Sequence, residues 1–346
     1  MTTAPLTPFL RLMDRVAPLL VRRSARARVR EPRAVDRSLT LVVREVRPEA
    51  EDVVSLRLEA PDSGALPPWR PGAHLDLDLP SGRRRQYSLC GDPADRTCYR
   101  IAVRRIADGE GGSREMHALR PGATLRTQGP RNAFPLALTG VPCLFVAGGI
   151  GITPVLPMVR AAAAAGADWR LVYTGRSRAT LPFLGELEAV DGARTRVTVR
   201  TDDTDGVPDA QDLLAGTQAG SVYLCGPPAM ISGVREAFAG TGATGLHFER
   251  FSTPPVIDGA PFEVRLGPGG AVLSVPADRS ALSVIAEARP GTAYSCRQGF
   301  CGTCRLRVLD GEVRHHGSEA ARRTDDAMLI CVSRAAEAGG RLTLDV

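Results

Sequence analysis

Three successive rhythms of hydrophobic and polar positions run along the chain. Over 39–138 they alternate in short runs, and 39–46, 53–58, 74–79, 84–89 and 99–103 each predict a strand. Turn residues such as Pro61-Asp62-Ser63-Gly64, Pro71-Gly72 and Ser81-Gly82 separate them, which argues a small antiparallel barrel. At Val141 the rhythm changes. An apolar run, 144–147, enters a glycine-rich turn and then a helical stretch over 155–165, with Thr153 suited to its N-cap and Pro154 to its first turn. Strands at 169–173, 196–200, 221–224 and 246–248 alternate with helices at 181–190 and 228–239, the signature of a parallel sheet covered on both faces. A Pro-rich linker over 252–261 precedes a third segment, with a hairpin (262–266 and 271–275), a helix (281–289) and a closing strand (342–346).

The expected organisation is therefore an arm over 1–37, a barrel over 38–138, a nucleotide-binding domain over 139–251, the linker, and a small domain over 262–346. Charge sharpens this picture at one place. The chain has a net charge of +6, and all 44 of its basic residues are arginine. Nine arginines against three acids in residues 1–37 carry that excess, so the remainder is formally neutral and a nucleic-acid-binding role is not expected. Within the arm, Phe9, Leu12, Met13, Val16 and Leu20 recur at helical spacing. A helix packed on the body or a solvated tail is the plain reading of the arm; docking to an acidic partner is the sharper one. No apolar run approaches the length needed to span a bilayer, and no secretory signal is recognisable.

The most specific chemistry lies in the third segment. Cys296, Cys301 and Cys304, spaced C-x4-C-x2-C, are answered by Cys331 after twenty-six intervening residues. This is the spacing with which plant-type ferredoxins supply four thiolates to a 2Fe-2S cluster. Gly299 and Gly302 give the loop backbone freedom and room at the cluster edge. A zinc site using Cys301, Cys304, His315 and His316 is the alternative, but it leaves Cys296 and Cys331 without a role. The remaining cysteines, Cys90, Cys98, Cys143 and Cys225, are dispersed among apolar or loop residues.

Upstream lie several stretches that suit phosphate and ring binding. Arg85-Gln86-Tyr87-Ser88 ends a barrel strand, offering a guanidinium for phosphate and a flat phenol for an isoalloxazine ring. Gly111, Gly112 and Ser113 open a short helix and present amides to a phosphate. Gly148-Gly149-Ile150-Gly151-Ile152-Thr153-Pro154 is a phosphate-approach turn without the Walker lysine, and it is not the G-x-G-x-x-G fingerprint. Cys225-Gly226-Pro227 follows a later parallel strand, where ligands of open sheets collect. Arg176, Ser177 and Arg178 can address a ribose or its 2′-phosphate, or remain solvated.

Taken in order, these blocks, together with Pro130-Arg131-Asn132-Ala133-Phe134-Pro135-Leu136, His247-Phe248-Glu249-Arg250-Phe251 and Cys331-Val332-Ser333-Arg334-Ala335, make 39–346 resemble the phthalate dioxygenase reductase and vanillate demethylase reductase family of the ferredoxin–NADP reductase superfamily. The resemblance implies a multidomain fold: an antiparallel β-barrel flavin domain, an α/β parallel-sheet nucleotide-binding domain and an α+β (β-grasp) 2Fe-2S ferredoxin domain. It implies FMN rather than FAD, hydride uptake from NADH or NADPH, and single electrons passed to a separate Rieske-type or haem-thiolate oxygenase, in a cytoplasmic monomer. By position, Arg85, Gln86, Tyr87 and Ser88 would hold the FMN, Ala102, Val103 and Arg104 would line it, and Gly111, Gly112 and Ser113 would take its phosphate. Gly148, Gly149, Gly151, Arg176, Ser177, Arg178, Gly226 and Pro227 would serve the nucleotide. Thr153, Cys225 and Phe251 would shape the transfer site. Two departures stand out: Glu110 where many relatives carry arginine, and the long arm. NADH is slightly favoured over NADPH. The rival reading is a non-catalytic iron–sulfur carrier or redox sensor with a degenerate reductase module.

Overall fold

The computed structural model describes residues 38–107, 111–192, 195–217, 220–251, 259–294, 297–299, 302–317 and 322–346. The arm with its expected helix, Glu110, Cys296, Phe300, Cys301 and most of the linker lie outside the described residues.

The first alternating stretch folds into β1 (Ser38–Ala50), β2 (Val53–Glu59), β3 (Ala73–Asp78), β4 (Arg84–Ser88), β5 (Cys98–Arg104) and β6 (Thr124–Asn132), with α1 (Gly112–Ala118) between the last two. They form an antiparallel sheet in the order β4-β3-β6-β1-β2-β5. A bridge between Leu89 and Ile101, and Cys90 N–H donating to Arg100 O at 2.9 Å, join its two edges, so the sheet closes on itself. Alternation supplies the filling: Leu41, Val43, Leu56, Leu58, Leu75, Leu77, Tyr99 and Ile101 are buried inside, and Met116 of α1 plugs the open end. Strand β6 has no apolar alternation to announce it, since Leu125 is its one large inward apolar residue; pairing with β1 and β3 on both sides holds it.

The second stretch builds the parallel sheet β11-β10-β7-β8-β9 from β7 (Cys143–Gly148), β8 (Trp169–Gly175), β9 (Val197–Thr201), β10 (Ser221–Cys225) and β11 (Gly245–Glu249). Helices α2 (Ile152–Ala164), α3 (Leu184–Asp191) and α4 (Pro228–Ala237) cover it. Because β7, first in sequence, lies between β8 and β10, the order reverses there, and a crevice forms outside the strand ends. Helix α2 begins earlier than its residue pattern suggests. A 3-10 turn, Gly149–Gly151, runs straight into it, so Thr153 sits inside the first turn rather than at the cap, and its Oγ1 donates to Ile150 O at 3.0 Å. Val53, Cys90, Ala102 and Phe134 of the barrel pack in one core with Phe145, Ile152, Met158 and Tyr173, which joins barrel and parallel sheet into one body.

The third stretch forms β12 (Phe262–Leu266), β13 (Val272–Val275), β14 (Arg305–Asp310), β16 (Ala327–Leu329) and β18 (Arg341–Asp345), in the order β13-β12-β18-β14-β16. The small pair β15 (Val313–Arg314) and β17 (Arg334–Ala335) lies beside it. The central pair β12 and β18 is parallel and the others antiparallel, and α5 (Ala281–Ala288), capped by Ser280 Oγ, packs Leu282 and Ile285 into the sheet's core. This is the β-grasp arrangement expected from sequence. No helix among the described residues is long and apolar enough to cross a membrane.

Candidate cofactor site

A cavity of about 530 Å³ opens where the strand ends of the parallel sheet face β4 and β5 of the barrel. It brings together Arg85, Gln86, Tyr87 and Ser88 of β4, Ala102, Val103 and Arg104 of β5, and Gly112 and Ser113 of α1. Gly148, Gly151, Thr153, Gly226, Pro227 and Phe251 line it from the parallel sheet. Its size is in the range that holds a cofactor.

The barrel side is held in place by its own hydrogen bonds. Arg85 lies across the start of α1, where a Cβ at Gly112 would stand 2.9 Å from Arg85 Nε, so glycine lets that guanidinium lie close to the helix start. Ser113 faces the cavity, while its Oγ accepts from Ile106 N–H at 3.0 Å. Gln86 Nε2 donates to the buried carboxylate of Asp76 at 2.7 Å, which Arg131 also approaches at 3.2 Å. Burial pushes the Tyr87 phenol well above its ordinary range, so it stays a neutral ring and donor. His117 Nε2 bonds Val103 O at 2.9 Å and fixes the strand edge that the resemblance assigns to flavin lining.

On the opposite wall the phosphate-approach turn is pressed onto the next strand. A Cβ at Gly151 would lie 2.1 Å from Cys225 O, so the close approach of turn and strand end demands glycine. Cys225 itself stands behind this wall rather than on it. It is fully buried, and burial drives its thiol well above the ordinary value, so it packs and is not a thiolate. Of the three residues expected to shape transfer, Thr153 and Phe251 therefore face the cavity and Cys225 supports it from behind. Gly111, Gly149, Arg176, Ser177 and Arg178 lie beyond the lining. Arg178 pairs with Glu188 at 3.2 Å, Ser177 N–H donates to Thr180 Oγ1 at 3.3 Å, and Arg176 O accepts from Asp203 N–H at 3.1 Å.

Residue patterns missed Glu249, Arg297 and Gln298, which also line the cavity. Glu249 ends β11 beside Cys225, and Ser88 Oγ donates to its Oε2 at 3.2 Å across the barrel–sheet boundary. Burial raises the Glu249 carboxyl to about 8 against the opposing pull of the Ser88 hydrogen bond, so it is mostly protonated at neutral pH. Its one sequence signal is an acid ending a half-buried edge strand, Gly245–Glu249. Arg297 and Gln298 lie inside the cysteine spacing, where only the ligands carry a pattern. Gln298 Nε2 donates to Arg250 O at 2.8 Å.

Of the four cysteines expected to be ligands, Cys304 and Cys331 are described and both are buried. Gly299 has φ +81°, and a Cβ there would stand 2.7 Å from Val332 Cγ2 and 3.0 Å from Gly317 Cα. Its missing side chain thus makes room for neighbouring protein. Four soft thiolate donors in this spacing suit a 2Fe-2S cluster.

Comparison with known proteins agrees with this geometry. The oxidoreductase NAD-binding domain family matches residues 145–236, and the 2Fe-2S iron-sulfur cluster binding domain family matches 264–336. The chain is 37% identical over 314 residues to the vanillate O-demethylase oxidoreductase of Pseudomonas sp. (strain HR199 / DSM 7063), covering 87% of this chain and 98% of that one. It is 36% identical over 307 residues to the phthalate dioxygenase reductase of Burkholderia cepacia, covering 86% and 94%. A solved phthalate dioxygenase reductase, described as a modular structure for electron transfer from pyridine nucleotides to [2Fe-2S], superposes with a TM-score of 0.68 at 34% identity, over 89% of this chain and 98% of that one. An intact type IV self-sufficient cytochrome P450 monooxygenase superposes with a TM-score of 0.71 at 36% identity, over 96% of this chain but 44% of its own length.

Proposed function

We propose a division of labour, with FMN as the flavin, from the premise that this chain belongs to the phthalate dioxygenase reductase and vanillate demethylase reductase family. The chain is an oxidoreductase that moves electrons from a nicotinamide nucleotide to an oxygenase through a flavin and a 2Fe-2S cluster. When bound, the flavin supplies the conversion of a two-electron hydride donor into single electrons. The protein's task is positioning and electrostatics, with no general base required.

Within the working limits 38–138, 139–251 and 262–346, each domain serves one part of this path. Arg85 holds the phosphate of FMN with Gly111, Gly112 and Ser113; Gln86, Tyr87, Ser88 and the backbone of Ala102, Val103 and Arg104 hold its ring and tail. Thr153 and Phe251 shape the place where the nicotinamide meets the ring, with Cys225 behind them. Protonated Glu249 keeps negative charge out of a cavity already edged by Arg85, Arg104 and Arg297, surroundings that favour an electron-rich ring. Cys296, Cys301, Cys304 and Cys331 ligate the cluster. The observation that carries this reading is the convergence, on one cavity, of Arg85–Ser88, of Gly148, Gly151 and Thr153, and of Arg297 and Gln298 from the cysteine loop.

Gly148, Gly149, Gly151, Gly226 and Pro227 border the nucleotide, and Arg176, Ser177 and Arg178 lie toward its ribose. NADH is favoured over NADPH: Glu188 already engages Arg178, and the acidic run Asp202, Asp203, Asp205 follows beside Arg176. The acceptor is a separate oxygenase, Rieske-type or haem-thiolate, the arm over 1–37 docks to its acidic face, and the protein is a cytoplasmic monomer. Acid release of the flavin followed by chromatography tests the cofactor: FMN is expected, and FAD overturns the assignment. Parallel dye reduction with the two nucleotides tests the donor, with a higher kcat/KM expected for NADH. Removal of 1–37 is expected to slow oxygenase reduction at low salt, and an unchanged rate sinks the docking role.

A further inference from the structure

The strand end Glu249-Arg250-Phe251 touches three parts of the molecule. Glu249 accepts from Ser88 of the barrel, Phe251 faces the cavity, and the carbonyl of Arg250 between them accepts from Gln298 Nε2 at 2.8 Å. Gln298 belongs to the cysteine loop, two residues after Cys296 and three before Cys301. Its neighbours hold it at that spot. Arg297 takes a left-handed backbone conformation, φ 52°, with its guanidinium 5.4 Å over the Tyr294 ring. Gly299 packs so closely on Val332 and Gly317 that a Cβ there would collide with both. On the reductase side, Arg250 is fixed too, its guanidinium 5.7 Å over the ring of Phe248. A hydrogen bond between two braced segments fixes their separation, whereas one between loose segments would not.

We propose that Gln298 is a positioning residue for the step that carries electrons from the flavin cavity to the cluster, acting through the Arg250 carbonyl. This rests on the reading of the cavity as a flavin site and of the cysteines as cluster ligands. The amide pins the cluster loop to the strand end that also bears Glu249 and Phe251, so flavin and cluster are held at one distance. Electron tunnelling falls steeply with distance, while hydride transfer depends on the nicotinamide side of the cavity. Disturbing the clamp therefore slows cluster reduction more than flavin reduction. No bond to the cofactors is made or broken by Gln298, and no proton moves.

The test uses the full-length holoprotein with Gln298→Glu, which keeps the shape but removes the donor; Gln298→Lys, which restores a donor; and Gln298→Ala. Flavin and iron content are measured first, then flavin fluorescence, then rapid mixing with NADH followed at flavin and cluster bands. In Gln298→Glu and Gln298→Ala, cluster reduction is expected to slow about fivefold relative to flavin reduction, the factor that one net hydrogen bond corresponds to. Flavin fluorescence, quenched by a nearby cluster, is expected to rise at constant cofactor content, and Gln298→Lys to recover both. If Gln298→Glu keeps the wild-type ratio and fluorescence, the positioning role is overturned while the reading of the site stands. If wild-type protein binds flavin and cluster but NADH reduces neither, the reading itself falls, and this inference with it.

Discussion

Replacing Glu186 with alanine removes an ionic clasp that reinforces the shared core between barrel and nucleotide domain. Glu186 of α3 receives both terminal nitrogens of Arg100 from β5, at 2.7 and 2.8 Å, and a third contact from Arg160 of α2. The Arg100 and Glu186 side chains keep 18% and 29% of their exposure, between a surface pair and a buried one. Exposed pairs are worth about 0–1 kcal/mol, and breaking a buried one costs about 3–5 kcal/mol. After truncation Arg100 retains its bond to Cys90 O at 2.8 Å and its place 4.8 Å over the Phe183 ring, which softens the loss. The expected cost is therefore about 2 kcal/mol, or a fall in Tm of about 4–8 °C for a body of this size. The pH dependence has a definite sign. Burial pushes the Glu186 carboxyl up, but Arg100 and Arg160 outweigh it and hold the group below its ordinary value. Its contribution is thus complete above the ordinary carboxylate value and lost as pH falls through the lowered one, so the difference between variant and wild type should shrink as pH falls below the ordinary carboxylate value. Thermal unfolding of holoprotein by circular dichroism, at neutral and acid pH, checks both points. A Tm within about 1 °C of wild type at neutral pH would refute the reasoning.

Glu249→Gln tests the opposite sign. Burial lifts this carboxyl to about 8 although the Ser88 bond pulls it down, so the stability of its protonated form is full below the ordinary value and lost as pH rises toward 8. The Tm difference should therefore grow in the variant's favour from about pH 5 to about pH 8 and then flatten, and a pH-independent difference would contradict it. Gly151→Ala forces a methyl against the Cys225 carbonyl and is expected to cost about 1–3 kcal/mol, read as a lower Tm with a raised KM for NADH. In Gly299→Ala the strained backbone and the contact with Val332 should lower the iron content of the purified protein while flavin content holds.

Much of this architecture can be read from residues because its cores are periodic. The strands β1, β2, β3 and β5 carry inward apolar residues at every second position, and β7, β8 and β10 are largely apolar runs flanked by turns or helices. Strand β6 escapes because Arg126, Gln128, Gly129 and Pro130 break the pattern; its place comes from two neighbours distant in sequence. Thr153 misleads because cap chemistry presumes an extended residue before the helix, whereas a 3-10 turn leads in. At the site, the cavity-lining glycines and Arg85 are legible as local motifs. Glu249, Ser88 and Gln298 meet only through the packing of three domains, so no local pattern could reveal their contacts. Cys225 is legible as a position at a strand end, but its depth behind Gly151 depends on how closely turn and strand approach.

The relay itself is tested most directly by an anaerobic titration of the purified protein with NADH, following the flavin absorbance and the low-temperature EPR signal of the cluster together. Bleaching of the flavin band should be accompanied by the spectrum of a reduced 2Fe-2S centre, both completed without an oxygenase present. A flavin that bleaches while the cluster stays oxidised, or a cluster reduced in protein that holds no flavin, would contradict electron flow from nicotinamide through flavin to iron and sulfur.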